Sequence, residues 1–119
     1  ALLLMGASVM PAGIAAYCNK YVEQNDRLIA AGVAWNKRND TTMKRTLRVF
    51  NWAGGMSDAD RQALDRAAFE AVKESVESEP DRAGYCRNVA EILETGQMDL
   101  DKSEGTAPAF RRIMAAPID

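Results

Sequence analysis

Cys18 and Cys86 are the only cysteines in the chain, and they lie too far apart in sequence for a CxxC redox pair. An even cysteine count in a small chain with an export-like N-terminus reads as one disulfide, with no thiolate left to act as a nucleophile. The chain has no histidine, so the commonest general base and the commonest zinc ligand are both missing. No GxSxG, P-loop or dinucleotide fingerprint occurs. Glu70, Glu74, Glu77 and Glu79 could supply paired carboxylates for acid–base work, but their spacing reads as the solvated face of a helix. Asp99, Asp101, Ser103 and Gly105 have the composition of a calcium loop. The register fails, because the turn glycine falls one place late and Phe110 stands where a bidentate glutamate belongs. A solvated acidic loop fits these residues better. No catalytic residue, metal ligand or cofactor is therefore expected.

Lys37, Arg38, Lys44, Arg45 and Arg48 form the remaining candidate, a cationic face flanked by Trp35 and Trp52. Cations interleaved with aromatics can hold an anionic partner or a lipid headgroup, and in other settings nucleic acid. The formal net charge of −2 gives no general support for nucleic acid. Tyr17 to Ala53 is net basic and Gly54 to Gly105 net acidic, so the two halves can also pair with each other. At least one of the two tryptophans is expected in the core, because a single helical layer needs large side chains to fill it.

Helices must position these residues. Alanine is abundant, aromatics make up 7% of the chain, and no alternating strand pattern occurs. Apolar residues at three- and four-residue spacing predict a first helix over about 17–36, with Tyr21, Leu28, Ile29 and Val33 inward. A polar break should follow at 36–42, then a second helix over 42–53 with Met43, Leu47 and Phe50 on one side, ended by Gly54-Gly55. Ser57 caps a third helix over 57–79, whose inward stripe is Leu64, Ala68, Val72 and Val76 with Phe69 beside it. Asp81 caps a fourth that carries Tyr85, Cys86, Val89, Ile92 and Leu93 and closes at Gly96. After the loop 97–105, Phe110, Ile113 and Met114 fall on one side of a short last helix.

The fold expected is therefore all-α, a small helical bundle of about four helices plus a short C-terminal helix, closed by one disulfide. A simple up-down-up-down bundle starts its first and fourth helices at opposite ends, which would keep Cys18 from Cys86. That topology is excluded, and helix three is expected to run antiparallel to helices one and four. Three regions follow: an apolar segment 1–16, a disulfide-closed domain 17–96, and the loop and last helix 97–119 lying on that domain.

Ala1 to Ala16 resembles the apolar core and cleavage region of a secretory signal peptide, with Leu2, Leu3, Leu4, Met5 and Val9 interrupted by Pro11 and Gly13. Cleavage after Ala15 or Ala16 is one expectation. The other is that the segment stays and lies on the domain as a helix. The chain then reads as exported, to a bacterial periplasm or outside the cell. Its expected function is non-catalytic binding: an inhibitor, adaptor or chaperone-like module. The expected partner is another envelope protein, with weak membrane-surface contact and no nucleic acid. The alternative is a small structural subunit of a membrane or envelope complex.

Overall fold

A computed structural model describes residues 2–22 and 26–118. Glu23, placed on the polar side of the expected first helix, lies outside the described residues, as do Ala1 and Asp119. The fold is all-α, with six helices and no strand among the described residues: α1 Leu2–Ser8, α2 Met10–Cys18, α3 Asp26–Trp52, α4 Asp58–Glu77, α5 Arg82–Thr95 and α6 Ala107–Met114.

The caps follow the sequence. The Ser57 side chain accepts from the Asp60 amide and Asp81 accepts from the Gly84 amide, each satisfying a donor that a helix start leaves open. Gly96 ends α5 with φ of 83°, a conformation that costs glycine no Cβ clash.

Two helix boundaries differ from expectation. No break occurs at 36–42: α3 runs unbroken through it. The polar residues there find partners that sequence spacing does not display. Asn39 is 3% exposed; its amide donates to Trp35 O and its oxygen accepts from the Leu100 amide. Beyond that stretch, the buried Thr46 hydroxyl donates to Thr42 O one turn back in the helix. The break lies earlier, where α2 stops at Cys18 and Asn19 to Val22 form turns closed on Tyr17 O and Cys18 O. The expected first helix thus fuses the tail of α2 with the head of α3. Their phases are unrelated, which is why Ile29 and Val33 point outward; Leu47, placed inward on the expected second helix, is exposed as well. The inward stripe of α3 is instead Leu28, Ala31, Trp35, Asn39, Thr46 and Val49.

Pro11 does not interrupt the apolar run. It opens α2, where its missing N–H is no loss. Leu4, Ile14 and Ala15 join Trp35, Val76, Val89 and Leu93 in one core, so residues 2–18 share the interior of the domain. α1 and α2 run parallel to α4: Gly6 faces Leu64, Gly13 faces Val72, and the Tyr17 hydroxyl reaches Glu77. For α2, which carries Tyr17 and Cys18, this corrects the expected antiparallel arrangement, which assumed that Cys18 sits near a helix start. It sits at a helix end.

Cys18 and Cys86 are bonded, with their Cα atoms 5.8 Å apart and neither side chain exposed. The bond ties the end of α2 to the first turns of α5. The loop 97–105 is solvated at Asp101 and Glu104, as expected, but not at Asp99 and Leu100, which are 6% and 1% exposed. Among the described residues no helix is long and apolar enough to cross a membrane.

Candidate functional site

The cationic face divides in two. Helical geometry sets Arg38 and Arg45 seven residues apart on one side of α3, and Lys37, Lys44 and Arg48 on the next. Arg38 forks onto Asp99 through two bonds of 3.1 Å and donates a third to Leu93 O at the end of α5. Arg45 donates to the carbonyls of Ile113, Ala116 and Ile118, clasping the end of α6. Both arginines hold the fold together. Lys44 pairs with Asp40 one turn away at 2.9 Å, on the surface. Lys37 and Arg48 are exposed and have no ion-pair partner among the described residues. Of the flanking aromatics, Trp35 is 1% exposed and donates to Met98 O, whereas Trp52 stands in solvent. The five cations therefore do not converge on one ligand.

No group of three or more potential metal ligands exists among the described residues. Glu70, Glu74 and Glu77 follow α4 along a shallow surface with Lys73 among them.

A different surface stands out. Between α2 and α4 lies an open groove of about 450 Å³. Val9, Gly13, Ala16, Tyr17 and Lys20 form its α2 wall; Asp65, Ala68, Phe69 and Val72 form its α4 wall. Its size falls in the range of ligand-binding clefts, and its walls are apolar except at the two ends. Asp65 stands at the Val9 end and Lys20 at the Tyr17 end. Phe69 is 57% exposed, so the expectation that it lies in the core is corrected. Its neighbour Ala68 takes the inward side, and the ring leans on Tyr17 edge-on at 6.4 Å between centroids. A large aromatic left half in water beside an apolar recess is the kind of surface that binding covers.

Gly13 explains the close approach of the two walls. A Cβ there would stand 2.9 Å from Val72 Cγ2, inside normal contact. Tyr17 sets the far end. Its hydroxyl donates to Glu77 at 2.5 Å and its ring carries the Lys20 ammonium 4.3 Å from the centroid. That hydrogen bond, with burial and the carboxylate's charge, pushes the Tyr17 hydroxyl up to about 12. The same bond holds Glu77 below the ordinary carboxylate value against the opposing effect of burial, with Lys73, Arg82 and Lys20 adding to it. Neither partner of this bond is poised to exchange a proton near neutral pH. The tyrosine is a latch between α2 and α4.

Sequence reasoning missed this groove because residues 2–18 read as a leader rather than as a wall. One signal was available. A phenylalanine immediately beside a clean i, i+4 stripe sits at the seam of a helix, where a second surface begins.

Comparison with models of known families, with curated proteins and with solved structures finds no match to the chain.

Proposed function

We propose that the protein is an exported, non-catalytic binding module, and that the α2–α4 groove receives an apolar segment of a protein partner. The observation that carries this reading is the groove itself: an apolar recess of about 450 Å³ with Phe69 standing more than half exposed on its wall. The bond between Cys18 and Cys86 supports an oxidising compartment such as a bacterial periplasm or the extracellular space. The alternative, a small structural subunit of an envelope complex, would use the same apolar surface.

A photo-crosslinking benzophenone amino acid in place of Phe69, in protein exported by a bacterial host, tests the site. Covalent capture of a polypeptide at position 69, with none from the same residue in place of exposed Glu74, is the expected result. No adduct at 69 would remove the groove as the binding surface.

A further inference from the structure

We infer that the occupant of the α2–α4 groove is α2 of a second copy of this chain, lying antiparallel across a two-fold axis. The inference rests on the proposed reading of the groove as a binding surface and names its partner. Residues 2–22 carry one charged side chain, Lys20, so the outward side of α2 has almost nothing to hold it in water. Val9 and Ala16 are exposed on that side and line the groove. Ala16 is small, which lets another backbone come close.

Charge fixes the direction. α2 and α4 run parallel, as Gly6 facing Leu64 and Gly13 facing Val72 establish. Asp65 therefore marks the N-terminal end of the groove and Lys20 the C-terminal end. Neither forms an ion pair among the described residues, although Lys20 rests on the Tyr17 ring and its charge reaches Glu77. A second α2 laid antiparallel brings its own Lys20 to the Asp65 end. The two-fold axis makes the same pair a second time, because an isologous contact repeats every interaction. A parallel arrangement would instead set Lys20 beside Lys20 and leave both Asp65 carboxylates unpaired. In the antiparallel arrangement each Phe69 ring is covered by the partner's Val9–Ala16 surface, and each α2 lies in the groove of the other copy.

Sedimentation equilibrium of the oxidised full chain, from micromolar to millimolar concentration at low salt, tests this. A concentration-dependent shift to twice the chain mass is expected. Lys20→Glu or Asp65→Lys alone should weaken the dimer by about tenfold, the loss of two modest ion pairs and the gain of two repulsions. The double swap should restore it. Asp65 is exposed on α4, so Asp65→Lys serves should Lys20→Glu disturb the nearby Tyr17–Glu77 latch. Ala16→Glu, outward on α2, should leave a folded monomer. A single species of monomer mass at every concentration, or a double swap as weak as either single, would overturn the two-fold pairing. If position 69 then still captures a different protein, the groove stands as a binding surface and only its occupant changes. If 69 captures nothing, both readings fall.

Discussion

Replacing Arg38 with methionine should test what holds the 97–105 loop in the fold. Arg38 Nε and Nη2 each reach an oxygen of Asp99 at 3.1 Å, and Nη2 also donates to Leu93 O at 2.6 Å. The Asp99 side chain is 9% exposed and that of Arg38 36%. Methionine keeps the apolar stem but removes the charge and all three bonds. Asp99 then keeps a single protein donor among those described, Asn39 Nδ2 at 3.3 Å. Stripping one partner from a fully buried pair costs about 3–5 kcal/mol. Water reaches this guanidinium, so a smaller loss of about 2–3 kcal/mol is expected, comparable to two or three charged hydrogen bonds shared with solvent. Urea unfolding followed by far-ultraviolet circular dichroism reads it as a lower midpoint at unchanged slope. Asp99→Asn, alone and combined with Arg38→Met, completes a double-mutant cycle. The pair should couple, with the double variant losing clearly less than the sum of the singles. A loss under about 0.5 kcal/mol for Arg38→Met, with additive singles, would show that the fork contributes nothing and that Leu100 packing with the bonds from Trp35 and Asn39 holds the loop.

Reducing the Cys18–Cys86 bond, which spans 68 residues, should lower unfolding free energy by about 4 kcal/mol in the chain-entropy model; paired urea titrations with and without reductant measure it, and a change under about 1 kcal/mol would contradict it. Gly32→Ala should raise stability by about 0.5–1 kcal/mol, because a Cβ there meets nothing within 4 Å in mid-helix. Gly13→Ala should do the opposite and cost about 1 kcal/mol net, its Cβ driven against a buried, stiff Val72; thermal melts that rank the two variants the other way would refute the packing argument. The Tyr17–Glu77 bond should weaken at both pH extremes. Native Tyr17 keeps its proton to about 12 while the unfolded hydroxyl loses it near 10, so stability falls as pH rises through that interval. Native Glu77 ionises below its unfolded value, so its contribution is full above the ordinary carboxylate range and is lost as pH falls through the native pKa. Tyr17→Phe should flatten both limbs of a stability–pH profile, and an unchanged profile would dismiss the latch.

The parts of this fold legible in the sequence are those governed by neighbours along the chain. Ser57, Asp81 and Gly96 act within one turn of themselves, so their caps are found where composition places them. The stripe Val72–Val76 and the group Cys86, Val89 and Leu93 are buried as their spacing implies. A main source of the failures is polar residues satisfied from afar. Asn39 looks like a helix breaker until Asp99 and Leu100 are seen across α3. Asp99 looks like a solvated acid until Arg38 is seen opposite it. Phase errors then followed from the misplaced break, turning Ile29, Val33 and Leu47 inward on paper. The cationic face illustrates the same limit. Five cations close in sequence divide between structural arginines and solvated side chains according to which side of α3 they occupy.

The apolar N-terminal stretch meets two demands that a sequence presents as one. Its inner side supplies Leu4, Pro11, Ile14 and Ala15 to the core. Cleavage after Ala15 or Ala16 would take all four away and leave Val72 and Leu64 facing water. Its outer side is the groove wall. A nine-residue helix such as α2 is too short to be stable alone, and the small residues of its outer side contribute little packing. Its position therefore depends on what fastens its last turn: Tyr17 on Glu77, and Cys18 on Cys86 in the residue beside it. Both fasteners lie at the Lys20 end of the groove. Breaking the disulfide removes one of these two fasteners from the wall that carries Lys20. In this geometry the same bond that closes the domain also fastens the α2 wall of the groove.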